Sequence, residues 1–232
     1  METRDKYIKA LMDISRAINS DLYLEDLLKL IVMVTAQVAG LKICSLWIVD
    51  ESENYPVIRL KATQAIDQEY VKDRAIFMNE GVVGHVASTK KPMVIKDVLN
   101  EPLFKEKEMA RKLNLISMLG IPLTVKNDHV VGVLNCFTEQ PHDFSENEIY
   151  MITAVANQAA VAIYNQELIV KTRVIQEELE TRKLVEKAKE IIMMRKNISG
   201  QDAYRSIQKH SMNTRKPIRE VAEAIVLSEK LY

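Results

Sequence analysis

Cysteine, glycine, proline and long apolar runs are all scarce in this chain, and each scarcity removes a class of protein. Only two cysteines, Cys44 and Cys136, stand in 232 residues, both inside apolar segments and without CxxC spacing. That excludes a disulfide scaffold and a cysteine-rich zinc module. It fits buried thiols in a reducing compartment, with a disulfide or redox pair as the alternative. Six glycines and six prolines, in a chain that is 47% hydrophobic, exclude long disorder and favour a folded, helix-rich protein. Apolar runs such as residues 30–34 are far too short to span a bilayer, and the opening Met-Glu-Thr-Arg-Asp-Lys has no signal-peptide core. A cytoplasmic protein with no membrane partner is expected. His85, His129, His142 and His210 have no spacing that sets two on one helix face, so no metal site is expected either.

Net charge is also missing, but only as a sum. Residues 1–170 carry 18 basic and 23 acidic groups, whereas residues 182–232 carry 12 basic and 6 acidic ones. Charge that separates by segment points to a polyanionic partner for the basic piece. The length suits one medium domain followed by one small one.

Tyr7, Ile8, Leu11, Ile14 and Ile18 recur at helical spacing. A second helix is predicted over residues 24–38, capped by Ser20 or Asp21 and stopped by Gly40. Then the period shortens. Residues 43–49 and 57–62 read as a hairpin, residues 93–95 as a third strand, and residues 120–137 as a second hairpin closed by a tight turn at Asn127 and Asp128. Gly81 and Gly84 open a short helix, Pro92 admits the next strand, and Asp143-Phe-Ser-Glu-Asn-Glu148 caps a final helix. Returning strands of this kind make an antiparallel sheet.

The order Glu80-Gly-Val-Val-Gly-His-Val-Ala87, Lys91-Pro-Met-Val-Ile95, Ser117-Met-Leu-Gly-Ile-Pro-Leu123, Val131-Gly-Val-Leu-Asn135 and Ala156-Asn-Gln-Ala-Ala-Val-Ala162 resembles a GAF domain. The resemblance implies an antiparallel sheet with the first and last helices on one face. On the other it implies a pocket that in many relatives holds a small ligand. Trp47, Phe77 and Phe104 are the candidates to line it, against the plainer reading that large apolar residues in a sheet are core. A small-molecule effector is the expected occupant, of unspecified chemistry. A sulfoxide reductase of this fold needs an organised set of reactive cysteines, which two thiols in predicted strands do not supply. No catalytic residue is assigned, and no enzyme is expected.

No glycine or proline interrupts residues 147–195, so the last helix of this domain is predicted to run on as a connector over residues 166–181. Ile163, Val170, Val174, Leu179 and Val185 give apolar points at broken heptad intervals. That fits a parallel coiled coil with a stutter, hence a homodimer, or else a solvated single helix.

Residues 182–232 divide into three short amphipathic helices with matching apolar faces. These are Leu184, Val185, Ala188, Ile191 and Ile192; Ala203, Ile207 and Ser211; and Ile218, Val221, Ala222, Ile225 and Val226. Asn197 ends the first, Ser199 caps the second and Pro217 opens the third. The pattern Arg182-x-Leu-Val-Glu-x-Ala-Lys-x-Ile-Ile-Met, then Ser-x-x-Asp-Ala-Tyr-x-x-Ile, then Val-Ala-x-Ala-Ile-Val resembles an ANTAR domain, the RNA-binding output module of bacterial transcription antitermination regulators. It implies binding of a nascent transcript at paired small RNA stem-loops. Glu190 and Gln208 depart from the pattern, where glycine and arginine are usual.

The physical reading agrees, because RNA loops are met by an aromatic or guanidinium plane among cations. The candidate RNA-binding residues are Arg182, Lys189, Arg195, Tyr204, Arg205, Gln208, Lys209, Arg215 and Lys216. A helical tail that docks a protein partner is the alternative. The expected architecture is thus α+β: a GAF-like antiparallel-sheet domain over residues 1–165, the connector, and a three-helix ANTAR-like domain over residues 182–232.

Overall fold

A computed structural model describes residues 2–20, 22–51, 55–64 and 74–229. The chain divides into two compact units, Met1–Gln166 and Glu167–Tyr232. The first contains helices α1 (Glu2–Ile18) and α2 (Leu24–Ala39), then strands β1 (Ile43–Asp50), β2 (Val57–Thr63) and β3 (Ala75–Phe77). Helix α3 (Gly81–Thr89), strand β4 (Met93–Ile95), helix α4 (Lys107–Lys112) and strands β5 (Ser117–Val125) and β6 (His129–Thr138) follow. Helix α5 (Glu146–Lys196) starts in the first unit and ends in the second, which α6 (Gly200–Thr214) and α7 (Ile218–Glu229) complete. The α+β class is as expected.

The strands form one antiparallel sheet in the order β3-β2-β1-β6-β5-β4. β1, β5 and β6 are apolar along nearly their whole length rather than alternating, because both faces of the sheet are covered. Cys44, Leu46, Leu119, Ile121 and Leu134 meet Ile14 of α1, Leu28 and Ile31 of α2, and Ile152 and Val155 of α5. On the opposite face Trp47, Met118, Val133 and Phe137 pack with Val82, Val83 and Val86 of α3. Each such side chain contributes roughly 1.5–3 kcal/mol on full burial, so these two layers hold the sheet.

Local expectations fared unevenly. α2 ends at Gly40 in the left-handed region, φ 64°, as foreseen. Its first turn, however, follows Tyr23 and takes no side-chain cap. Ser20 instead donates to Ala17 O, finishing α1, and Asp21 lies outside the described residues. The β5–β6 connection is a three-residue 3-10 turn, Lys126–Asp128, not a two-residue one. Asn127 and Asp128 both adopt positive φ there, and Val125 faces His129. β3 and α4 were not anticipated.

The start of α5 carries a reciprocal cap. Ser145 N donates to Glu148 Oε2 at 2.8 Å, and Glu148 N donates to Ser145 Oγ at 3.3 Å. His142 Nε2 lies 2.9 Å from Glu148 Oε1. Partial burial pushes the Glu148 carboxyl up, but the hydrogen bonds from Ser145 and His142 outweigh it and hold the group below its usual 4.5. A depressed folded value means stability that is present above the unfolded value and lost as pH falls through the folded one. Urea midpoints should therefore show wild type ahead of Glu148→Gln at neutral pH, with the gap closing below the ordinary carboxylate range. A gap that widens in acid contradicts this.

In the second unit Val185, Ala188 and Ile191 of α5, Ile207 of α6, and Val221, Ala222 and Val226 of α7 share one core. Ala188, Ala203 and Ala222 are fully buried, which is where small side chains let helices cross closely. Asn197 takes positive φ after α5, and Arg215 does so after α6. Ser199 Oγ accepts from Asp202 N at 3.2 Å, capping α6.

A basic helical surface and a buried cavity

The second unit displays four of the candidate residues on one helix. Tyr204, Arg205, Gln208 and Lys209 of α6 are all exposed, and their one- and four-residue spacings make a continuous strip. Tyr204 keeps 42% of its surface open while also lining a cleft with Val185, Ile218 and Arg219. It is thus half packed and half presented. Arg182 shares that cleft of about 620 Å³, but so do Glu177, Glu178 and Glu186, so it is poorly suited to a polyanion.

A second cleft, of about 440 Å³, has the opposite character. Arg195, Lys196, His210 and Lys216 line it with Ile192, Ile207 and Ile225, against the single carboxylate of Glu220. Lys196 and His210 were not among the candidates, although both are basic residues on the amphipathic helices. Lys189 and Arg195 are engaged with carboxylates, Glu186 and Glu229 respectively, and Arg219 contacts Glu180 at 3.3 Å. Arg205, Lys209, Arg215 and Lys216 are exposed and hold no ion pair among the described residues. They are open to phosphate, as are Lys183, Lys187 and Lys196, which are likewise exposed and outside any ion pair among the described residues.

Along α5, Ile163 and Val185 sit in the two cores, whereas Val170, Val174 and Leu179 are exposed together with Leu168, Ile169 and Ile175. Leu168, Ile175 and Leu179 share one side of the helix at seven- and four-residue spacing, whereas Val170 and Val174 lie on the other.

The first unit contains a cavity of about 260 Å³ on the α3 side of the sheet. Trp47 of β1, Val82 and Val83 of α3, Phe104, Met118 of β5, and Asn135 and Phe137 of β6 line it. Phe104 meets Phe137 edge-on, with ring centroids 6.1 Å apart. Of the three candidate wall residues, Trp47 and Phe104 line this cavity. Phe77 does not: it lies on β3, is 60% exposed and is absent from the lining. Its neighbour Ile76 packs on the cavity layer, so strand alternation turns Phe77 to the opposite face.

At the mouth Lys105 Nζ contacts Glu80 Oε1 at 2.7 Å, and Arg74 pairs with Glu106. The Lys105 hydrogen bond and the Phe77 N–H hold the Glu80 carboxyl below its usual value.

Cys44 and Cys136 face each other in register on β1 and β6 as free thiols, with sulfurs 3.6 Å apart and both side chains buried. Burial pushes the Cys44 thiol well up, the reverse of what a reactive nucleophile needs. Among the described residues no group of three or more His, Cys, Asp or Glu could hold a metal ion, and no helix is long and apolar enough to cross a membrane.

Comparison with known proteins matches residues 23–163 to the GAF domain and residues 173–226 to the ANTAR domain. The Nif-specific regulatory protein of Herbaspirillum seropedicae is 25% identical over 150 residues, 62% of this chain and 27% of that protein. That of Azospirillum lipoferum is 24% identical over 161 residues, 67% of this chain and 25% of its own length. The chain thus spans about a quarter of these relatives. Among solved structures, the GAF domain of a phosphoenolpyruvate-protein phosphotransferase from Coxiella burnetii superposes with a TM-score of 0.64 at 25% identity, over 72% of this chain and 97% of that one. The corresponding Acinetobacter domain gives 0.60 at 24% identity, over 71% and 97%.

Proposed function

The chain belongs to the GAF domain family and carries an ANTAR domain behind it, and from that premise we propose a non-enzymatic, cytoplasmic, homodimeric regulator of transcription antitermination that binds paired RNA stem-loops. The α6 strip carries the reading: one half-open aromatic, Tyr204, stands among Arg205, Gln208 and Lys209, which is the combination that stacks a splayed base and meets its phosphates. The excess of basic groups in residues 182–232 supports it, as does the cationic cleft beside α6. That the relatives are themselves named regulatory proteins supports the regulatory half. A small-molecule effector in the cavity of the first unit is the input. Pairing of α5 with its copy in a coiled coil, through exposed apolar residues such as Leu168, Ile175 and Leu179, sets two RNA surfaces side by side.

Tyr204→Ala tests the reading. Loss of one stacking platform should weaken RNA binding by about 1–3 kcal/mol, roughly five- to 150-fold, in a filter-binding titration with tandem stem-loop RNA. The helical circular dichroism should not change, since the removed ring is half exposed. Unchanged affinity removes Tyr204 from the surface.

A second reading is favoured by specific residues. Glu190 and Gln208 stand where the family pattern has glycine and arginine, and Lys189 and Arg195 are engaged by carboxylates. A protein partner recovered with the chain, with no RNA binding, supports that reading instead.

A further inference from the structure

Helix α6 buries Ala203 and Ile207 and leaves Tyr204, Arg205, Gln208 and Lys209 exposed. At about 100° per residue the order around the helix is Tyr204, Gln208, Arg205, Lys209, within an arc of about 140°. The Gln208 amide thus stands between the ring and the two cations. It is neutral, so it adds nothing to the attraction of a polyanion, and it makes no hydrogen bond among the described residues. One turn to either side lies open surface that is not charged, since Met212 is 73% exposed and Tyr204 is half open.

Direction matters as much as spacing. Side chains of an α-helix lean toward its N-terminus, so a side chain at position 208 reaches back over the turn that carries residue 204. The two Cβ atoms of such a pair are about 5–6 Å apart. A base lying flat on the Tyr204 ring therefore has an edge within reach of the Gln208 amide. Arg205 and Lys209 lean the same way on the adjoining side of the helix, where they can meet the phosphates of that strand.

The chemistry of the amide narrows the base. Its tip carries one carbonyl acceptor and one NH2 donor side by side. The Hoogsteen edge of adenine is the complement: N6–H donates to the amide oxygen, and the amide N–H donates to N7. Guanine shows two acceptors there, O6 and N7, which leaves the amide oxygen facing a lone pair and suits a guanidinium instead. Pyrimidines have no N7 and a smaller face to lay on the ring.

Resting on the reading of the second unit as an RNA binder, we propose that Gln208 is its specificity residue: it makes two hydrogen bonds to the Hoogsteen edge of an unpaired loop adenine stacked on Tyr204. RNA loops are open to such contacts because their bases are splayed from the stack. Arg205 and Lys209 then supply affinity without regard to sequence, and Gln208 supplies the choice of base.

Filter binding of the full chain to tandem stem-loop RNA tests this, with each loop position changed in turn, in both loops, to A, G, C and U. Wild type should prefer adenine to guanine at one position by about five- to 150-fold, the worth of a bidentate pair. Gln208→Ala should bind the two alike there, and 7-deazaadenine at that position should weaken wild type but not Gln208→Ala. In Gln208→Arg the preference at the same position should pass to guanine. The salt slope of Gln208→Ala should equal that of wild type, because no phosphate contact is removed. All variants should keep the helical circular dichroism of wild type, since the side chain is exposed and unbonded among the described residues.

Absence of any adenine-selective position, an adenine preference that survives Gln208→Ala, or full tolerance of 7-deazaadenine by wild type each overturns the inference. The two readings fail differently. RNA bound in a salt-dependent way, with a base preference that Gln208 substitutions leave unmoved, defeats this inference alone. No binding to any loop sequence defeats the regulator reading, and the role of Gln208 falls with it.

Discussion

Gly132→Val unfolds the first unit. β6 is a central strand, and Gly132 stands opposite Ile48 on β1 and Leu123 on β5. A Cβ there would come within 2.2 Å of Trp47 O and 3.0 Å of Leu123 Cδ1. A leucine methyl can rotate away, but a backbone carbonyl in the neighbouring strand cannot, so β1 and β6 would have to separate. That breaks the sheet at its middle and opens both apolar layers. The expected cost is on the order of 4–5 kcal/mol or more, the scale at which a single change exhausts most of a domain's stability. Urea denaturation followed by Trp47 emission checks it, and a midpoint close to wild type would refute the packing described for β6. Gly200→Ala is the control. Its Cβ would meet Met193 Sδ at 3.4 Å and, at 3.8 Å, Lys189 Cε and Met193 Cε, all in flexible side chains. That change should be neutral or stabilise by up to about 1 kcal/mol.

Replacing Arg205, Lys209, Arg215 and Lys216 together by alanine lowers RNA affinity by roughly two to three decades near physiological salt. The estimate follows from counterion release, in which each phosphate neutralised adds about 0.7–0.9 to the slope of log K against log salt. Four contacts removed should flatten that slope by about three to four units. All four residues are exposed and outside any described ion pair, so fold stability should change little. Affinity that drops while the slope stays unchanged would mean that the four cations act otherwise than on phosphate. The contrast with Lys189 and Arg195 is informative, since each must first leave Glu186 or Glu229 to meet a phosphate. Alanine at those two positions should cost less per residue than at the four free ones.

Much of this architecture is visible in the chain because local chemistry and tertiary packing agree there. Gly40, Asn197 and Ser199 mark helix ends by conformational freedom or a capping oxygen, and the helices end or begin at those residues. The three apolar faces of residues 182–232 converge because helical periodicity suffices to name them. What was missed is short or depends on distant elements. β3 has three residues and α4 has six, too few for any period to show. Phe77 was placed in the pocket on its aromatic character alone, whereas alternation along β3 gives that layer to Ile76 and turns Phe77 away. Ser20 was read as opening α2 and instead closes α1, since a hydroxyl between two helices can bond backward as readily as forward. Asn135 sits inside an apolar run that gives no hint that its side-chain oxygen is buried without a hydrogen-bond partner.

The account turns on whether the basic surface of the second unit reads RNA. Equilibrium binding of the full chain to tandem stem-loop RNA, repeated from about 50 to 200 mM salt and with the loop sequence scrambled, decides it. The account predicts affinity that falls steeply and linearly in log salt, and a loss of about tenfold or more on scrambling the loops. Binding that neither responds to salt nor distinguishes the loop sequence would contradict it.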